Sequence, residues 1–503
     1  MPRPLLCVSL TAATTAELRR RRDAETQADL VELRLDSVAD PDVSGALSGR
    51  ARPVIVTCRP MWEGGAFRGS EDERRRILAA ALQEGAEYVD IERDAGFGDL
   101  VRRGGRRVVL STHDFEGIPS DLPARVRAMR AACGGVVKVA VTARKLSDCL
   151  PLLEIARKEH SAAGKESPAC VWIAMGTAGV PTRVLAARFG SCWTYAGESV
   201  APGQVSPAQL VNEFGFRRIT AQTRVYGVVG LPVSHSVSPA MHNAAFQAAS
   251  LDAVYLPLEA ADVDDFERAA PAFDIRGASV TIPHKVAFFE RLVARGGSDA
   301  LDPLSRAAGA VNTLRRHDDQ WQGCNTDVAG FLAPLTEHMT LAGMRAAVLG
   351  AGGAARAVAV ALKSAGARAT LHARNLDRAG EVARLVGAEA RPFPPLRGSW
   401  DLLVNATPVG MSPAVDDTPW PDAAFDGDVV YDLVYNPPET RFLRDASAAG
   451  CLTIGGLEML VAQAQEQAEW WTGIRPPAQI LRDAALGALG LHEPVLARGK
   501  RGA

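Results

Sequence analysis

The feature that most constrains this chain is an alternation. Over about the first 215 residues, short apolar runs alternate with amphipathic stretches. The runs are LLCVSL (5–10), ADLVELRLD (28–36), PVIVTCR (53–59), EYVDIE (87–92), RVVLSTHD (107–114), GGVVKVAV (134–141), ACVWIAMG (169–176) and SCWTYA (191–196). Short runs rich in Val and Ile read as strands buried on both faces, as in a parallel sheet. Stretches such as SEDERRRILAAALQEG and ARKLSDCLPLLEIARKEH read as the helices between them. Eight strands alternating with helices predict a (β/α)8 barrel over 1–220. The helix after the second strand has the faintest pattern.

After about residue 222 the pattern restarts. TRVYGVVG reads as a strand, and a small α/β segment follows to about 335. MRAAVLGAGGAARAVAVALKSAGARATLHAR (344–374) reads as strand, Gly-rich turn, helix and second strand. DLLVNATP (401–408) and GDVVYDLVY (427–435) read as further parallel strands, and GGLEMLVAQAQEQAEWWTG as a helix. The expected class is therefore α/β in three units. These are the barrel (1–220), a substrate-binding lobe (223–335, joined by a C-terminal helix at 478–495) and a Rossmann-type dinucleotide lobe (336–477). A length of 503 residues agrees, at roughly 150 residues per domain.

Composition narrows the function. Lys and Arg number 56 against 58 Asp and Glu, a net charge of −2, which argues against a nucleic-acid-coating protein or a polybasic membrane binder. No window of about 18 apolar residues predicts a membrane span. The N-terminal apolar run is short and leads into an Arg cluster, wrong for a signal peptide. Eight cysteines are scattered with no CxxC pair, so neither a zinc ribbon nor any other metal site is expected. Reduced thiols of this kind fit a cytoplasmic protein. The expected partners are small molecules; the oligomeric state is left open.

A barrel places its chemistry at the C-terminal strand ends. Here those ends carry Glu32, Arg34, Arg59, Glu92, His113, Lys138 and Arg183. Lys138 lies inside the apolar run GGVVKVAV. One reading is a strand-edge Lys that snorkels its ammonium to solvent. On an inner barrel strand the amine is instead desolvated, which favours the neutral nucleophile that attacks a ketone to form a Schiff base. The resulting iminium is an electron sink for removing a neighbouring proton. His113, at the end of the preceding strand, is either structural or the base for that proton. Glu63, in MWEGG, could orient its ring. Arg59 and Arg183 suit a substrate carboxylate, which a guanidinium fork binds bidentately. These residues alone give an aldolase-like or dehydratase-like barrel.

The motifs VELRLD (31–36), VTCRPMWEGG (56–65), STHDF (111–115), VKVAV (137–141), GVPTR (179–183) and APGQ (201–204) resemble, in order and spacing, a type I 3-dehydroquinate dehydratase. The resemblance implies Lys138 as the Schiff-base Lys and His113 as general base, then general acid for the leaving hydroxyl. It implies Glu63 as the partner that positions His113. Ser9, Glu32, Arg34, Arg59, Arg183 and Gln204 would hold substrate hydroxyls and carboxylate. One departure is Val200, where the family commonly has Ser before APGQ; Ser199 stands one place earlier.

In the second half, GAGGAAR (350–356) follows a strand and opens a helix. Its glycines let a pyrophosphate approach backbone N–H groups at the helix N-terminus. The second strand ends in LHARNLDR, without the Asp or Glu that an NAD ribose wants. Arg374 and Arg378 stand there instead. They are either solvated surface charges or the site of a 2′-phosphate, which means NADP. Upstream lie SHSVSP (234–239), SVTIPHK (279–285), GAVNTL (309–314) and GCNTD (323–327). Ser236 and Ser238 can aim two hydroxyls at one carboxylate. Lys285 and Asp327 can form an ion pair that relays a proton. Any one of these is readily a turn residue.

Residues 223–495 resemble a shikimate dehydrogenase through YGVVGLPVSHSVSPAMHN, VTIPHK, AGAVNTL, NTD, GAGGAAR, NATPVGM and GGLEMLVAQA. The resemblance implies Ser236 and Ser238 on the substrate carboxylate. Thr281, Asn312, Asp327 and Gln463 would take the ring hydroxyls, with Lys285 and Asp327 as the catalytic pair. Gly350, Ala351, Gly352, Gly353, Ala354, Arg374 and Arg378 would hold NADP. Thr407, Leu433, Tyr435 and Gly456 would meet its nicotinamide half. Ser279 stands where the family's NVT triad begins with Asn, and Ala373-Arg374-Asn375 where it has N-R-T. Over nearly its whole length the chain thus resembles the bifunctional dehydroquinate dehydratase–shikimate dehydrogenases of the shikimate pathway, which leads to chorismate and the aromatic amino acids. Three other readings stand beside it. One is a catabolic enzyme of quinate or shikimate. Another is a non-catalytic regulator built from the same domains. The last is a barrel plus reductase with unrelated substrates.

Overall fold

The computed structural model describes residues 3–162, 164, 167–197, 203–337, 339–420 and 424–491. The chain divides into two compact units, Met1–Val225 with Asp252–Asp274, and Tyr226–Leu251 with Ile275–Ala503.

The first unit holds an eight-stranded parallel sheet. Its strands are β1 (Leu5–Leu10), β2 (Leu30–Arg34), β3 (Val54–Thr57), β4 (Tyr88–Glu92), β5 (Val108–Asp114), β6 (Val136–Thr142), β7 (Ala169–Met175) and β8 (Trp193–Ala196). They run in the order β7-β6-β5-β4-β3-β2-β1-β8. A parallel bridge between Cys170 and Ser191 joins the two ends, with Cys192 N–H donating to the Cys170 carbonyl at 2.9 Å. The barrel expected from the sequence is present. The faint helix after β2 is a short one, Val43–Leu47.

The barrel interior is layered, because side chains on a strand alternate in direction. Cys7, Leu30, Ile55, Val109, Val136, Val171 and Trp193 pack together with Tyr88 as an apolar floor. Two residues further along each strand come Ser9, Glu32, Thr57, Asp90, Ser111, Lys138, Ile173 and Tyr195. Above six of these stand Arg34, Arg59, Glu92, His113, Ala140 and Met175. An apolar floor thus supports two tiers that carry the charge, at the strand ends where barrel chemistry is placed.

The chain continues with β9 (Arg224–Gly230), β10 (Ala253–Glu259), β11 (Ile275–Val280), β12 (Thr313–His317) and β13 (Gln320–Cys324), in a sheet of order β10-β9-β11-β12-β13. β12 pairs antiparallel with both β11 and β13. The β12–β13 hairpin had no clear sequence signal. Its residues are largely half-buried or exposed, so TLRRH and QWQGC lack a clean apolar face. A third sheet comprises β14 (Arg345–Leu349), β15 (Arg368–Ala373), β16 (Glu389–Pro392), β17 (Leu402–Asn405), β18 (Val429–Asp432) and β19 (Leu452–Ile454). Its order, β16-β15-β14-β17-β18-β19, is all parallel. Strand order reverses between β14 and β17, and ligands of such sheets bind at that crevice. The helix Ala478–Ala488 packs Leu481 and Ala485 on Val237, on Met241 and Ala245 of the helix Ser238–Ala248, and on Val461 and Ala464. Residues 492–495 of the expected C-terminal helix lie outside the described residues.

Candidate active sites

In the barrel, Lys138 is buried and its Nζ lies 3.2 Å from Asp90 Oδ2, 3.5 Å from Glu32 Oε1 and 4.2 Å from the Tyr195 ring centroid. Sequence reasoning placed this amine in apolar surroundings; the layer of inward polar residues gives it two carboxylates instead. Glu32 also accepts from Ser9 Oγ at 2.6 Å and Thr57 Oγ1 at 2.8 Å. Burial works against its ionisation, but Lys138 and Arg34 hold it below its ordinary value. Asp90 accepts from Ser111 Oγ at 2.6 Å and from Arg59 at 2.9 Å. Burial again opposes its charge, and Arg59 and Lys138 together win.

Arg59 is buried, with one fork nitrogen on Asp90 and the other on Glu92 at 2.8 Å and Ser111 Oγ at 2.8 Å. Glu92 in turn pairs with the fully buried Arg74. Arg59 thus spends its fork on the barrel's own carboxylates, where the sequence reading had offered it to a substrate. Arg34 forks on Asp36 at 2.9 and 2.7 Å. Arg183 is buried and donates to the Gly203 carbonyl at 3.1 Å; burial alone lowers it to about 10.

His113 and Glu63 form a pair. Glu63 Oε1 lies 3.0 Å from His113 Nδ1 and accepts the His113 backbone N–H at 2.8 Å. The turn that aims Glu63 depends on two glycines. Gly64 has φ +74°, and a Cβ on Gly65 would lie 2.1 Å from the Arg59 carbonyl oxygen. Burial, then Arg59 and Lys138, push His113 well below its ordinary value, so its ring is neutral. Burial raises Glu63 to about 7, against the pull of Arg59. A neutral ring whose Nδ1 faces a carboxylate leaves Nε2 as an unprotonated base. Phe115 stacks on that ring with centroids 6.3 Å apart. One cavity is lined by Ser9, Glu32, Arg34, Arg59, Glu63, His113, Lys138, Arg183 and Gln204, together with Phe115, Met175 and Tyr195. Every expected dehydratase residue therefore meets at one place. Ser199 and Val200 lie outside the described residues.

In the second unit, Lys285 Nζ lies 2.6 Å from Asp327 Oδ2. Asn312 Nδ2 donates to Asp327 Oδ1 at 2.6 Å and to Thr326 Oγ1 at 2.9 Å, and Thr326 N–H donates to Asn312 Oδ1 at 2.8 Å. Ser236 Oγ accepts the Ser238 N–H at 3.3 Å, where the helix Ser238–Ala248 begins. Thr281 follows β11, its N–H on the Val229 carbonyl at 2.9 Å. Gln463 is buried on the helix Gly456–Thr472, against the position where a Cβ on Gly330 would sit.

The dinucleotide turn lies beside this pair. Gly350 has φ +119°, and a Cβ there would meet the Ala406 carbonyl oxygen at 3.0 Å and Thr407 Cγ2 at 3.2 Å. Gly352 starts the helix Gly353–Ser364 and has no side chain to cap the leading N–H groups. Those N–H groups fit a phosphate, so the residues present suit a dinucleotide. A Cβ on Gly353 would come within 3.4 Å of Lys285 Cδ. Gly456 fits only without a side chain, since a Cβ would lie 2.4 Å from the Leu433 carbonyl oxygen. Thr407 Oγ1 donates to Asn405 Oδ1 at 2.6 Å, and Leu433 N–H to the Asn405 carbonyl at 3.0 Å. Tyr435 packs against the core around Val237 and Val461. Arg374 and Arg378 are exposed after β15, open to a 2′-phosphate and to solvent alike.

Three family models match the chain. They are type I 3-dehydroquinase over residues 6–220, the shikimate dehydrogenase substrate binding domain over 228–314, and the shikimate 5′-dehydrogenase C-terminal domain over 456–486. A bifunctional 3-dehydroquinate dehydratase/shikimate dehydrogenase, chloroplastic, of Arabidopsis thaliana is 35% identical over 492 residues, covering 91% of this chain and 79% of its own. The chain belongs to the bifunctional 3-dehydroquinate dehydratase/shikimate dehydrogenase family. A shikimate dehydrogenase (NADP(+)) of Moorella thermoacetica is 41% identical over 302 residues, 56% of this chain and 99% of the relative. A crystal structure of a shikimate dehydrogenase in complex with NADP+ matches with TM-score 0.50 and 33% identity, over 54% of this chain and 97% of that one.

Sequence reading of this bifunctional family member missed several residues at the two sites. Asp90, Thr57, Ser111 and Tyr195 share the middle barrel tier with Lys138. Their signal was present, since each stands two places beyond a floor residue. Gln467, one turn beyond Gln463, is buried beneath the second site. An i, i+4 spacing on one helix was its only signal.

Proposed function

We propose that this chain catalyses two consecutive steps of the shikimate pathway. The barrel dehydrates 3-dehydroquinate to 3-dehydroshikimate through a Schiff base, and the second unit reduces that product to shikimate with NADPH. What supports the reading is the pairing of two complete proton-transfer constellations in one chain, Lys138 with His113–Glu63 and Lys285 with Asp327.

In the first step Lys138 Nζ adds to the substrate ketone, and water leaves to give an iminium. His113 Nε2 removes the proton on the neighbouring carbon, and the electrons move into the iminium. The hydroxyl one carbon further leaves as water, with the proton returned by His113. Water then hydrolyses the iminium and restores Lys138. Asp90 and Glu32 neutralise the cation at nitrogen throughout. Arg34, Arg183, Ser9 and Gln204 hold the carboxylate and hydroxyls.

In the second step Ser236 and Ser238 hold the carboxylate, and Thr281, Asn312 and Gln463 the ring hydroxyls. Lys285, paired with Asp327, passes a proton to the ketone oxygen. NADPH, when bound, supplies the hydride. The Gly350–Ala354 turn would hold its pyrophosphate, and Arg374 and Arg378 its 2′-phosphate. Thr407, Leu433, Tyr435 and Gly456 would face its nicotinamide half. A regulator built from decayed copies would have no use for intact pairs of this kind. The described cysteines are all unpaired, as in a reducing compartment such as the cytoplasm. No helix among the described residues is long and apolar enough to cross a membrane.

The decisive assay follows NADPH oxidation with 3-dehydroquinate as the sole carbon substrate. Absorbance falls only if both activities work in series; no decrease with this chain alone, under conditions in which a separate mixture of active dehydratase and shikimate dehydrogenase gives one, would overturn the reading.

Two smaller outcomes follow. Arg374→Ala is expected to raise the NADPH KM roughly 10- to 150-fold, the equivalent of a lost charge-assisted contact of about 1.5–3 kcal/mol, and to spare NADH. Equal loss with both cofactors would make Arg374 structural. The dehydratase kcat/KM is expected to rise with pH through about 7, as Glu63 ionises and can accept the His113 Nδ1 proton. His113 itself is already neutral well below that pH. In Glu63→Gln the rise should vanish along with most of the activity; an unchanged acid limb would assign it to another group.

A further inference from the structure

The helix Gly456–Thr472 sets a second glutamine one turn beyond Gln463. Gln467 is 1% exposed, and its amide is engaged at both ends. Oε1 accepts the Ser279 hydroxyl at 2.7 Å and lies 3.3 Å from His242 Nε2. Burial lowers His242 to about 3, so that ring is neutral. Nε2 donates to Thr313 Oγ1 at 3.0 Å. Ser279 and Thr313 face each other across β11 and β12. One amide therefore clamps a cross-strand pair.

The direction of these bonds reaches the chemistry. A hydroxyl has a single proton to give. With Gln467 donating to the Thr313 oxygen, that proton goes to Asn312 Oδ1 at 2.8 Å. Asn312 Oδ1 also accepts the Thr326 N–H at 2.8 Å, and the two bonds together turn its NH2 toward Asp327 Oδ1, at 2.6 Å, while the other Asp327 oxygen holds Lys285 at 2.6 Å. We propose that Gln467 is a positioning residue for the Lys285–Asp327 pair, acting through Thr313 and Asn312, and that the small Ser279 is what admits its amide to this place. The proposal rests on the reading of Lys285 and Asp327 as the proton-transfer pair. It also accounts for the departure at 279. An Asn there stands opposite Thr313, within the reach of cross-strand side chains, and would carry its own amide into the space Gln467 fills.

The test uses the full chain and shikimate oxidation with NADP. Gln467→Ala, and the volume-keeping Gln467→Met should Ala fail to fold, are expected to lower kcat several-fold, up to about tenfold for one buried hydrogen bond, with the NADP KM unchanged. The pH midpoint of kcat should move as well, which a loss of packing alone does not produce. Ser279→Asn alone should lower kcat by crowding Gln467. Ser279→Asn combined with Gln467→Ala should recover most of the loss, a coupling that independent sites do not show. Wild-type kcat and pH profile in both Gln467 variants would overturn the proposal. So would a double variant whose loss is the product of the two single losses. Lys285→Ala separates the layers: if it stays active, the underlying reading fails; if it is inactive while the Gln467 variants match wild type, only this inference fails.

Discussion

Lys138→Ala and Lys138→Arg are both expected to abolish dehydration, by on the order of 10⁴-fold or more, while shikimate oxidation is unchanged. The two substitutions separate two duties of one side chain. Lys138 is a cation set between Asp90 and Glu32, and it is a nucleophile. Arg keeps the cation and cannot form the iminium. Ala removes both, leaving buried carboxylates short of a partner, which typically costs about 3–5 kcal/mol. Lys138→Arg should therefore melt near wild type, and Lys138→Ala should melt well below it. Borohydride added with dehydroquinate should give an adduct on the peptide carrying Lys138 and none in either variant. An adduct on another lysine, or residual turnover in Lys138→Arg, would remove Lys138 from the mechanism. The oxidation half should be untouched, because Lys285 and Asp327 belong to the other compact unit.

The strands that carry Lys138 and its neighbours were legible because a parallel barrel buries them on both faces, so each reads as a continuous apolar run. β1 and β5 coincide with the sequence runs almost residue for residue. The same strand period could have given more. Asp90 and Glu92 share one face of YVDIE, and a carboxylate pair on an inner strand wants cations, which Lys138, Arg59 and Arg74 supply. What no local pattern could give is which partner each charge takes. Arg59 looked like a substrate clamp because its two carboxylates come from β4, 31 and 33 residues away. The β12–β13 hairpin failed for the opposite reason: half-exposed strands leave no apolar stripe to read. In the second half the Gly-rich turn was legible because backbone geometry demands glycine at Gly350, and the later helix start because the Leu433 carbonyl leaves no room for a side chain at Gly456. Gln467 was not, since a glutamine among QAQEQ on an amphipathic helix looks like surface until Ser279 and Thr313 are brought against it.

Lys285→Met and Asp327→Asn are each expected to lower ketone reduction by about 10²- to 10⁴-fold, the range for a lost general acid, with NADPH affinity by fluorescence titration nearly unchanged. The geometry makes a sharper statement than either variant alone. One Asp327 oxygen is bound by Lys285 and the other by Asn312, so in the proton transfer the carboxylate acts through the ammonium it orients. Residues that act as a unit are not additive. The double variant should therefore be no slower than the worse of the two single variants. Losses that multiply would mean that Lys285 and Asp327 act on the substrate independently, and the proton route would have to be redrawn. Asn312→Ala extends the argument. It leaves the Lys285–Asp327 contact in place but frees one carboxylate oxygen, so its loss should be smaller than that of Lys285→Met. In an Asp327→Asn background the same change should add almost nothing to the loss in kcat, and the lost ring-hydroxyl contact should show in the KM for the ketone.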